Sequence, residues 1–380
     1  MHTGGRRPGP LNTVAVTMRC SLRLSLALAI AGAIGGCGVP IPSTDLPPVR
    51  EVMPATEFPE LRDYRGIVDL KTAGVDQSAL AEIAKPAQID FITLANPVKP
   101  GSADFGIGGY SSELLVIPGG AFEANGGEIV GMNLIRPIDP KLAPTSIIAA
   151  IHARGGLAIA ANLGKFRSPQ DYALADAIEV YNQHDVWDAQ NRNLLYLNAI
   201  FLGADHFFSD LDLRPTENFA VYDRFVASAH ATLLAGFGSP EDFPVFGMKT
   251  GTFQQWFLVY TTHVLATERA IDPVVDAIRH GRVYVSFDLL GYVPTFAFYA
   301  QNGATKTIMG DEVALSPGLA LKAELPAAAD EISLYKDGAA IKTIQGASTL
   351  EFVPQSAGTY RIEAYRGGHM WILSNPIYLR

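Results

Sequence analysis

The sequence has little cysteine, an excess of acidic residues and no apolar run long enough to span a bilayer. Its 380 residues include two cysteines, 29 Lys and Arg, and 38 Asp and Glu, which gives a net charge of −9. Two cysteines cannot supply a disulfide framework, and a chain of this length can bury a large core without one. An acidic chain without a basic run is a poor candidate for nucleic-acid binding, so we expect no nucleic-acid partner.

Histidine is also scarce where a metal or catalytic site would need it. No histidine lies between His2 and His152, and His230, His263 and His280 are predicted to be scattered on helices. No Gly-x-Ser-x-Gly motif is present, which argues against a serine hydrolase. The glycine-rich residues 105–110 are followed by no helix with a downstream acidic residue, which argues against a dinucleotide site.

The start of the chain has the pattern of an export signal. Met18, taken as the true start, is followed by Arg19 and Arg23, by an apolar run over residues 24–34 and by a small-residue site that ends at Cys37. This pattern predicts a signal peptide, and its apolar run is too short to span a bilayer. The tetrapeptide Ile-Gly-Gly-Cys resembles the lipobox of bacterial lipoproteins, which implies cleavage before Cys37 and lipidation of its thiol. In the alternative, the segment is an ordinary secretory peptide and the cysteine is incidental.

The composition divides the chain into four parts. Residues 1–37 form the predicted signal peptide and lipobox, and the proline-rich residues 38–60 form a tether. Loss of residues 1–36 removes four arginines and no acid, which takes the net charge from −9 to −13. Residues 61–293 alternate apolar strands with helices, which predicts a mostly parallel α/β domain. Residues 294–380 show alternating runs separated by turns, which predicts a small all-β sandwich.

Two apolar strands in the middle of the chain end beside polar residues. Residues 157–161 and 177–181 are predicted strands; Asn162 follows the first, and Glu179 lies in the second. In an α/β barrel the carboxyl ends of the strands face the active site, so both side chains are candidates for a pocket. Residues 118–128 are predicted to be a loop.

Four segments carry a family resemblance. They are residues 150–156 (AIHARGG), 176–182 (DAIEVYN), 277–286 (AIRHGRVYVS) and 371–380 (WILSNPIYLR). Their order resembles the PHP (polymerase and histidinol phosphatase) family of metal-dependent phosphoesterases over residues 64–380, in particular the exported branch with carbaryl-hydrolase-like enzymes. The resemblance implies a distorted TIM-like (β/α)7 barrel followed by the sandwich. It also implies two or three metal ions that are held by His, Asp and Glu at strand ends and activate water.

The family's histidine ligands are missing at the positions to which they align. The His-x-His motif aligns with residues 69–71 (DLK), the Thr-Asp-His motif with 95–97 (ANP) and the Ala-His-Pro motif with 161–163 (ANL). Another histidine aligns near Glu128, and the late Gly-Ser-Asp-Ala-His motif aligns with residues 238–242 (GSPED). With Glu179 and the nearby His184, the candidate pocket residues are Asp69, Lys71, Asn96, Glu128, Asn162, Glu179, His184 and Asp242.

Three of these residues would be carboxylates around one cavity, where they could bind a metal ion together. Asp69, Glu128 and Asp242 would supply carboxylate oxygens of the kind that Mg²⁺ or Ca²⁺ prefers. Lys71 would lie among them, and an ammonium and a divalent cation compete for the same carboxylates. The simpler interpretation is that Lys71 replaces the metal charge and neutralises acids that would otherwise be buried unpaired. We therefore expect no metal cofactor; a divalent metal at the three carboxylates is the alternative.

Three hypotheses of function follow. The first is a lipid-anchored PHP-like protein with a degenerate metal site that binds a small molecule or an envelope protein without hydrolysing it. The second is a metal-dependent hydrolase of phosphate or carbamate esters with atypical carboxylate ligands, and the third is a structural envelope protein whose pocket is filled. We favour the first, with Cys37 as the attachment to the membrane. The predicted location is the periplasmic face of a bacterial membrane, and Gly38 in place of the usual aspartate favours the outer membrane.

Overall fold

The computed structural model describes residues 51–72, 74–101, 105, 108–182, 214–238, 243–245, 248–250 and 252–380. The predicted signal peptide, Cys37, most of the tether, His184 and Asp242 lie outside the described residues. Within the described residues, strands predominate and helices are few, which agrees with the α/β class. None of the described helices is long and apolar enough to cross a membrane.

The described part of residues 51–293 contains short strands and five α-helices. The strands are β1 Pro54–Ala55, β2 Phe58–Leu70, β3 Phe91–Leu94, β4 Asn96–Pro97, β5 Gly109–Ser111, β6 Leu114–Ile117, β7 Gly119–Ala124, β8 Gly127–Met132, β9 Leu157–Ala161, β10 Ala177–Asn182, β11 Thr232–Gly238, β12 Phe243–Val245, β13 Met248–Thr250, β14 Thr261–Ala266 and β15 Val283–Ser286. The helices are α1 Gln77–Ala84, α2 Pro144–His152, α3 Thr216–Val226, α4 Phe253–Trp256 and α5 Ile271–Arg279, with 3₁₀ turns at Leu163–Lys165, Pro169–Tyr172 and Asp288–Leu290.

The remainder of the chain is built from strands. They are β16 Ala297–Asn302, β17 Thr305–Ile308, β18 Glu312–Val313, β19 Ala320–Lys336, β20 Ala339–Phe352, β21 Gly358–Arg366, β22 His369–Ser374 and β23 Ile377–Leu379. β19 is central here, because it pairs antiparallel with β16, β20 and β21. β19 is a single strand of 17 residues.

β2 is the strand around which the first part is built. It pairs in parallel with β3 and β11, and its amino-terminal half pairs antiparallel with β14. All residues from Asp63 to Leu70 are buried, as expected for a strand that is covered on both faces. Unlike an ordinary buried strand, it includes three fully buried charged residues, Asp63, Arg65 and Asp69.

The pairings from β3 onward combine parallel and antiparallel steps. β3 pairs with β6 and β4 with β7 in parallel, β7–β8 and β8–β9 are antiparallel, and β9–β10 and β10–β11 are parallel. The predicted loop at residues 118–128 is wrong, because β7 and β8 form a hairpin there. A Cβ on Gly119 would lie 2.4 Å from the carbonyl oxygen of Gly131 and 2.5 Å from that of Leu94, so strand packing explains this glycine. The antiparallel steps interrupt the strand–helix repeat, and a TIM-like (β/α)7 barrel is not confirmed.

Successive residues of the strands face two different apolar cores. On β9, Ile159 belongs to a cluster formed by side chains of several strands, which also contains Val68 of β2. Its neighbour Ala160 belongs to a second cluster, with Ile148 and Ile151 of α2. Because both faces are covered, polar side chains in these strands must either find partners or lie at the strand ends.

The strand registers bring one set of strand ends to the same edge. Glu128 at the start of β8 is opposite Ala161 at the end of β9, and Gly238 at the end of β11 is opposite Leu70 at the end of β2. Asn182 at the end of β10 is opposite Gly236 of β11. The carboxyl ends of β2, β9, β10 and β11 therefore meet the amino end of β8, and the candidate site lies there.

A buried ion-pair cluster ties the two parts of the chain together. Glu363 on β21 is fully buried and accepts hydrogen bonds from Arg214 Nε at 2.7 Å and Nη2 at 2.9 Å, and from Arg361 Nη2 at 2.9 Å. Arg361 also pairs with Asp223 of α3. Burial raises the pKa of Glu363, but the hydrogen bonds from Arg214 and the charge of Arg361 outweigh burial and hold it below its ordinary value. This cluster fixes α3 against β21.

Candidate ligand site at the strand ends

A cavity of about 370 Å³ opens at the edge where these strands end. Its described lining is polar and carries both signs of charge: Lys71, Glu123, Gly126, Gly127, Glu128, Asn162, Lys165, Asn182 and Gly238. The backbone N–H of Lys71 donates to the carbonyl of Gly238 at 2.9 Å, which joins the ends of β2 and β11. The cavity has the size of a small-molecule site.

The cation of Lys71 lies against the carboxylate of Glu128. Lys71 Nζ donates to Glu128 Oε2 at 2.6 Å, and Asn162 Nδ2 donates to the same oxygen at 3.2 Å. Burial alone would lower the pKa of Lys71, but the negative charges of Asp69 and Glu128 outweigh burial and hold it above its ordinary value. Lys71 is therefore a protonated ammonium at physiological pH, and it lacks the free amine that a nucleophilic lysine needs.

Two fully buried carboxyl groups, Asp69 and Glu179, lie next to this ion pair. Burial raises the pKa of Asp69 to about 7, although the positive charge of Lys71 opposes the shift. Burial and the charge of Asp69 raise the pKa of Glu179 well above its ordinary value. Asn182 Nδ2 donates to Glu179 Oε1, and the carboxyl groups of Asp69 and Glu179 lie within hydrogen-bond reach of each other, so a proton held by one can be donated to the other. The two carboxyls therefore retain a proton at neutral pH, because two adjacent buried negative charges would be costly.

The backbone turns sharply at these strand ends. Asp69 and Asn162 adopt left-handed conformations with φ of 56° and 57°, which non-glycine residues rarely adopt. Gly236 on β11 leaves the space that the Glu179 carboxyl fills, since a Cβ there would lie 1.5 Å from Glu179 Oε2. Tyr260 donates its hydroxyl hydrogen to the carbonyl of Gly236 at 2.9 Å and so supports the same strand.

The residues predicted from the sequence take up different positions. Lys71, Glu128 and Asn162 line the cavity, and Asp69 and Glu179 are buried next to the Lys71–Glu128 pair. His184 and Asp242 lie outside the described residues.

Asn96 does not line the cavity. Its side-chain oxygen accepts hydrogen bonds from the backbone N–H of Thr72 at 2.9 Å and from the Thr72 hydroxyl at 3.1 Å. It therefore positions the chain that follows Lys71 instead of facing a ligand.

Sequence analysis did not identify Glu123 or Lys165 as cavity residues. Glu123 lies on β7, which was predicted to be a loop, so its alternation along a strand was not considered. Lys165 ends the 3₁₀ turn that follows Asn162. In the sequence, Lys165 could have been identified by its position three residues after Asn162, which follows a predicted strand.

The donor set at this site does not fit the metal ions that the PHP resemblance implies. Among the described residues, no three His, Cys, Asp or Glu side chains come together in a way that could hold a metal ion. Lys71 Nζ occupies the position beside Glu128, where a cation would have to bind. The ammonium of Lys71 and a divalent ion would compete for this carboxylate, and the ammonium is already 2.6 Å from its Oε2.

Comparisons with known proteins give weak likenesses. The chain matches no family model and no curated protein significantly. It is similar to a two-domain protein from Bacteroides vulgatus that contains a predicted PHP-like metal-dependent phosphoesterase, with 12% identity, 90% of this chain and 98% of that chain covered, and a TM-score of 0.38. It is also similar to a lytic polysaccharide monooxygenase from Jonesia denitrificans, with 14% identity, 18% of this chain and 57% of that chain covered, and a TM-score of 0.15. TM-scores this low carry no argument about fold or activity.

Gly236→Ala tests whether Glu179 needs the space beside β11. The new methyl group would overlap the buried carboxyl, so we expect a loss of about 1–3 kcal/mol in the free energy of unfolding, measured by urea denaturation. Gly164→Ala is the matched control, because a Cβ at Gly164 would meet no atom within 4 Å. Equal unfolding midpoints for the two variants would contradict the packing described here.

Asp69→Asn tests the retained proton. Because the folded protein raises the pKa of Asp69 from 3.8 to about 7, the stability linked to its proton is fully present below about pH 4 and is lost as the pH rises through about 7. Asparagine imitates the protonated form, so we expect the variant to match the wild type near pH 4 and to exceed it by on the order of 1–3 kcal/mol near pH 8. Chemical denaturation across this pH range measures the difference. The exposed Glu351→Gln should show no such pH dependence; a variant less stable than wild type at pH 8 would contradict the assignment.

Proposed function

We propose that this chain is an exported, lipid-anchored PHP-like protein that binds a small polar ligand at its strand ends without hydrolysing it. The lipid would be attached to Cys37, and the domain would face the periplasm. The observation that carries the proposal is the contact between Lys71 and Glu128 at 2.6 Å. The family segments of the sequence support the PHP-like assignment, and the missing histidines support the loss of metal chemistry.

The electrostatics explain why a lysine suits this position. Glu128, Asp69 and Glu179 form a group of acids of which two are fully buried. Such a group needs a nearby cation or bound protons, and loss of one partner of a buried pair typically costs about 3–5 kcal/mol. The ammonium of Lys71 supplies one positive charge where a divalent ion would supply two. The proton retained by Asp69 and Glu179 removes one negative charge, so the acids need only one cation.

The cavity supports a small polar ligand. Its volume of about 370 Å³ lies at the lower end of the range for small-molecule sites. Lys71, Lys165, Glu123 and Glu128 give the described lining equal numbers of positive and negative charges, and Asn162 and Asn182 add amide groups. Such a lining pairs with a ligand that carries both donors and acceptors, and no aromatic or branched aliphatic residue is among its described lining residues.

A lysine substitution tests the replacement of a metal by Lys71. Lys71→Ala removes the cation and leaves the carboxylates available, so we expect the variant to be destabilised by about 3–5 kcal/mol and to regain thermal stability in millimolar Mn²⁺. Wild-type protein should show no shift of its thermal midpoint with Mn²⁺, because Lys71 already occupies Glu128. Differential scanning fluorimetry with and without EDTA measures both.

The control is Lys165→Ala, which removes a lysine from the same cavity wall; Lys165 forms no ion pair with another described residue. It should behave like the wild type in Mn²⁺. A saturable stabilisation of the wild type by Mn²⁺ that Glu128→Gln abolishes would overturn the proposal in favour of a metal-dependent hydrolase.

A further inference from the structure

The edge of the sheet opposite the cavity carries a strongly exposed apolar side chain. Met132 at the end of β8 is opposite Leu157 at the start of β9, so the loop after β8 leaves the sheet at the amino ends of the parallel strands. Ile135 in this loop is 71% exposed, more than any other large hydrophobic side chain of the described residues. A single exposed isoleucine needs no explanation by itself, so its surroundings decide what it means.

Three arginines lie around this isoleucine, and hydrogen bonds fix two of them. Arg136 is the next residue in the loop. Arg154 Nη2 donates to the carbonyl oxygen of Pro137 at 2.8 Å, which places it beside the loop. Arg279 Nη2 donates to the carbonyl oxygen of Gly156 at 3.1 Å, two residues after Arg154. We call Ile135 and these three arginines the arginine patch.

The patch has a positive charge that its neighbours leave uncompensated. The three arginines are exposed, and within the described part of the chain none of them forms an ion pair. The two aspartates of α5 have other partners, since Asp272 Oδ1 accepts from Asn133 Nδ2 at 3.5 Å and Asp276 faces His280. In a chain with a net charge of −9, such a local excess of cations is complementary to an anionic surface.

The chemistry of the patch matches the surface of an anionic bilayer. A guanidinium binds phosphate oxygens through two parallel hydrogen bonds, and each cation next to an anionic membrane strengthens binding about fivefold. An exposed isoleucine among the cations adds apolar surface, which the boundary between headgroups and acyl chains can bury. The patch therefore combines the two contributions that hold a protein against a lipid surface.

The position of the tether favours a bilayer over an acidic protein as the partner. Val52 and Ile271 pack against the same apolar cluster, and Ile271 begins α5, the helix that ends at Arg279. The chain therefore enters the domain beside the helix that carries part of the patch. Residues 38–50 separate this entry from Cys37, and these 13 residues span at most about 45 Å. A lipid on Cys37 would hold the patch within that distance of the bilayer.

We propose that the arginine patch is a contact surface for anionic phospholipid headgroups and that it turns the cavity away from the membrane. The choice of partner rests on the lipid anchor of the proposed function. Because the anchor keeps the bilayer close, a patch of only three cations and one apolar side chain is enough to orient the domain. The cavity lies at the opposite strand ends, so this orientation leaves it open to solutes.

The test measures whether position 135 enters lipid. Ile135→Trp in the full chain puts an indole on the patch, and vesicles of phosphatidylcholine with brominated acyl chains quench an indole that enters the bilayer. When the vesicles also contain phosphatidylglycerol, we expect the emission of this variant to be quenched after subtraction of the wild type, which has three tryptophans. Vesicles without phosphatidylglycerol should need about a hundredfold more lipid for the same quenching, because the three arginines then have no anionic partner.

Variants of the arginines test the electrostatic contribution. Arg136→Gln and Arg279→Gln, each combined with Ile135→Trp, should raise the lipid concentration at half-maximal quenching about fivefold. Circular dichroism checks that each variant is folded. Quenching that is the same with and without these arginines, or the same in neutral and anionic vesicles, would overturn the proposal.

Ile341→Trp is the matched control. Ile341 is 42% exposed and is followed by a lysine, but it lies on β20, outside the patch. Its indole should not be quenched, and equal quenching at both positions would mean general adsorption and would overturn the proposal. Binding of polyglutamate that Arg136→Gln weakens, without quenching by vesicles, would instead assign the patch to an acidic protein and would also overturn it.

The experiment does not depend on a lipid at Cys37. The anchor is tested separately, by mass spectrometry of the protein extracted from a bacterial envelope. An unmodified Cys37 would contradict the anchor of the proposed function, whereas an unquenched Ile135→Trp would contradict only the contact surface.

Discussion

The ion pair between Lys71 and Glu128 is the interaction on which the rest of the candidate site depends. It puts a cation at the edge where four strands end, with its Nζ 2.6 Å from the carboxylate. Next to it, Asp69 and Glu179 are fully buried, and burial raises the pKa of each, so a retained proton and the lysine charge together limit the cost of enclosing the acids. Asn162 and Asn182 supply the remaining hydrogen bonds, one to each of the two glutamates.

β2 links this site to the rest of the molecule through its buried charges. Asp63 and Arg65 engage strands β14 and β15 at one half of β2, and Asp69 lies beside Lys71 at the other. A slip of one residue in the pairing of β2 would turn these side chains toward the apolar cluster around Val68, where they would have no partners. The buried charges therefore favour one register of β2 over the others. They do so in a strand whose hydrophobic pattern alone would allow others.

Several features could be predicted from the sequence because they depend on local chemistry. The strand at residues 157–161 matches β9, since a short apolar run bounded by Gly156 and Asn162 allows little else. Other features depend on neighbours that are distant in the chain. Strand β7 was predicted to be a loop, because its Gly119 is explained only by the two carbonyl groups that face it in the folded protein. His263 was assigned to a helix, because a strand that is buried on both faces shows no alternation of polar and apolar residues. The proton retained by Asp69 and Glu179 arises from their burial and from their contact with each other, neither of which the sequence reveals.

Elemental analysis of the purified full-length protein, combined with an assay of a generic phosphodiester in added manganese, tests the central claim most directly. The account predicts no stoichiometric metal and no turnover above the rate in buffer. The reason is that the Glu128 carboxylate already accepts hydrogen bonds from the Lys71 ammonium and from Asn162. Stoichiometric zinc, iron or manganese together with turnover would contradict it. That result would mean that the carboxylates bind a metal ion and that Lys71 has another role.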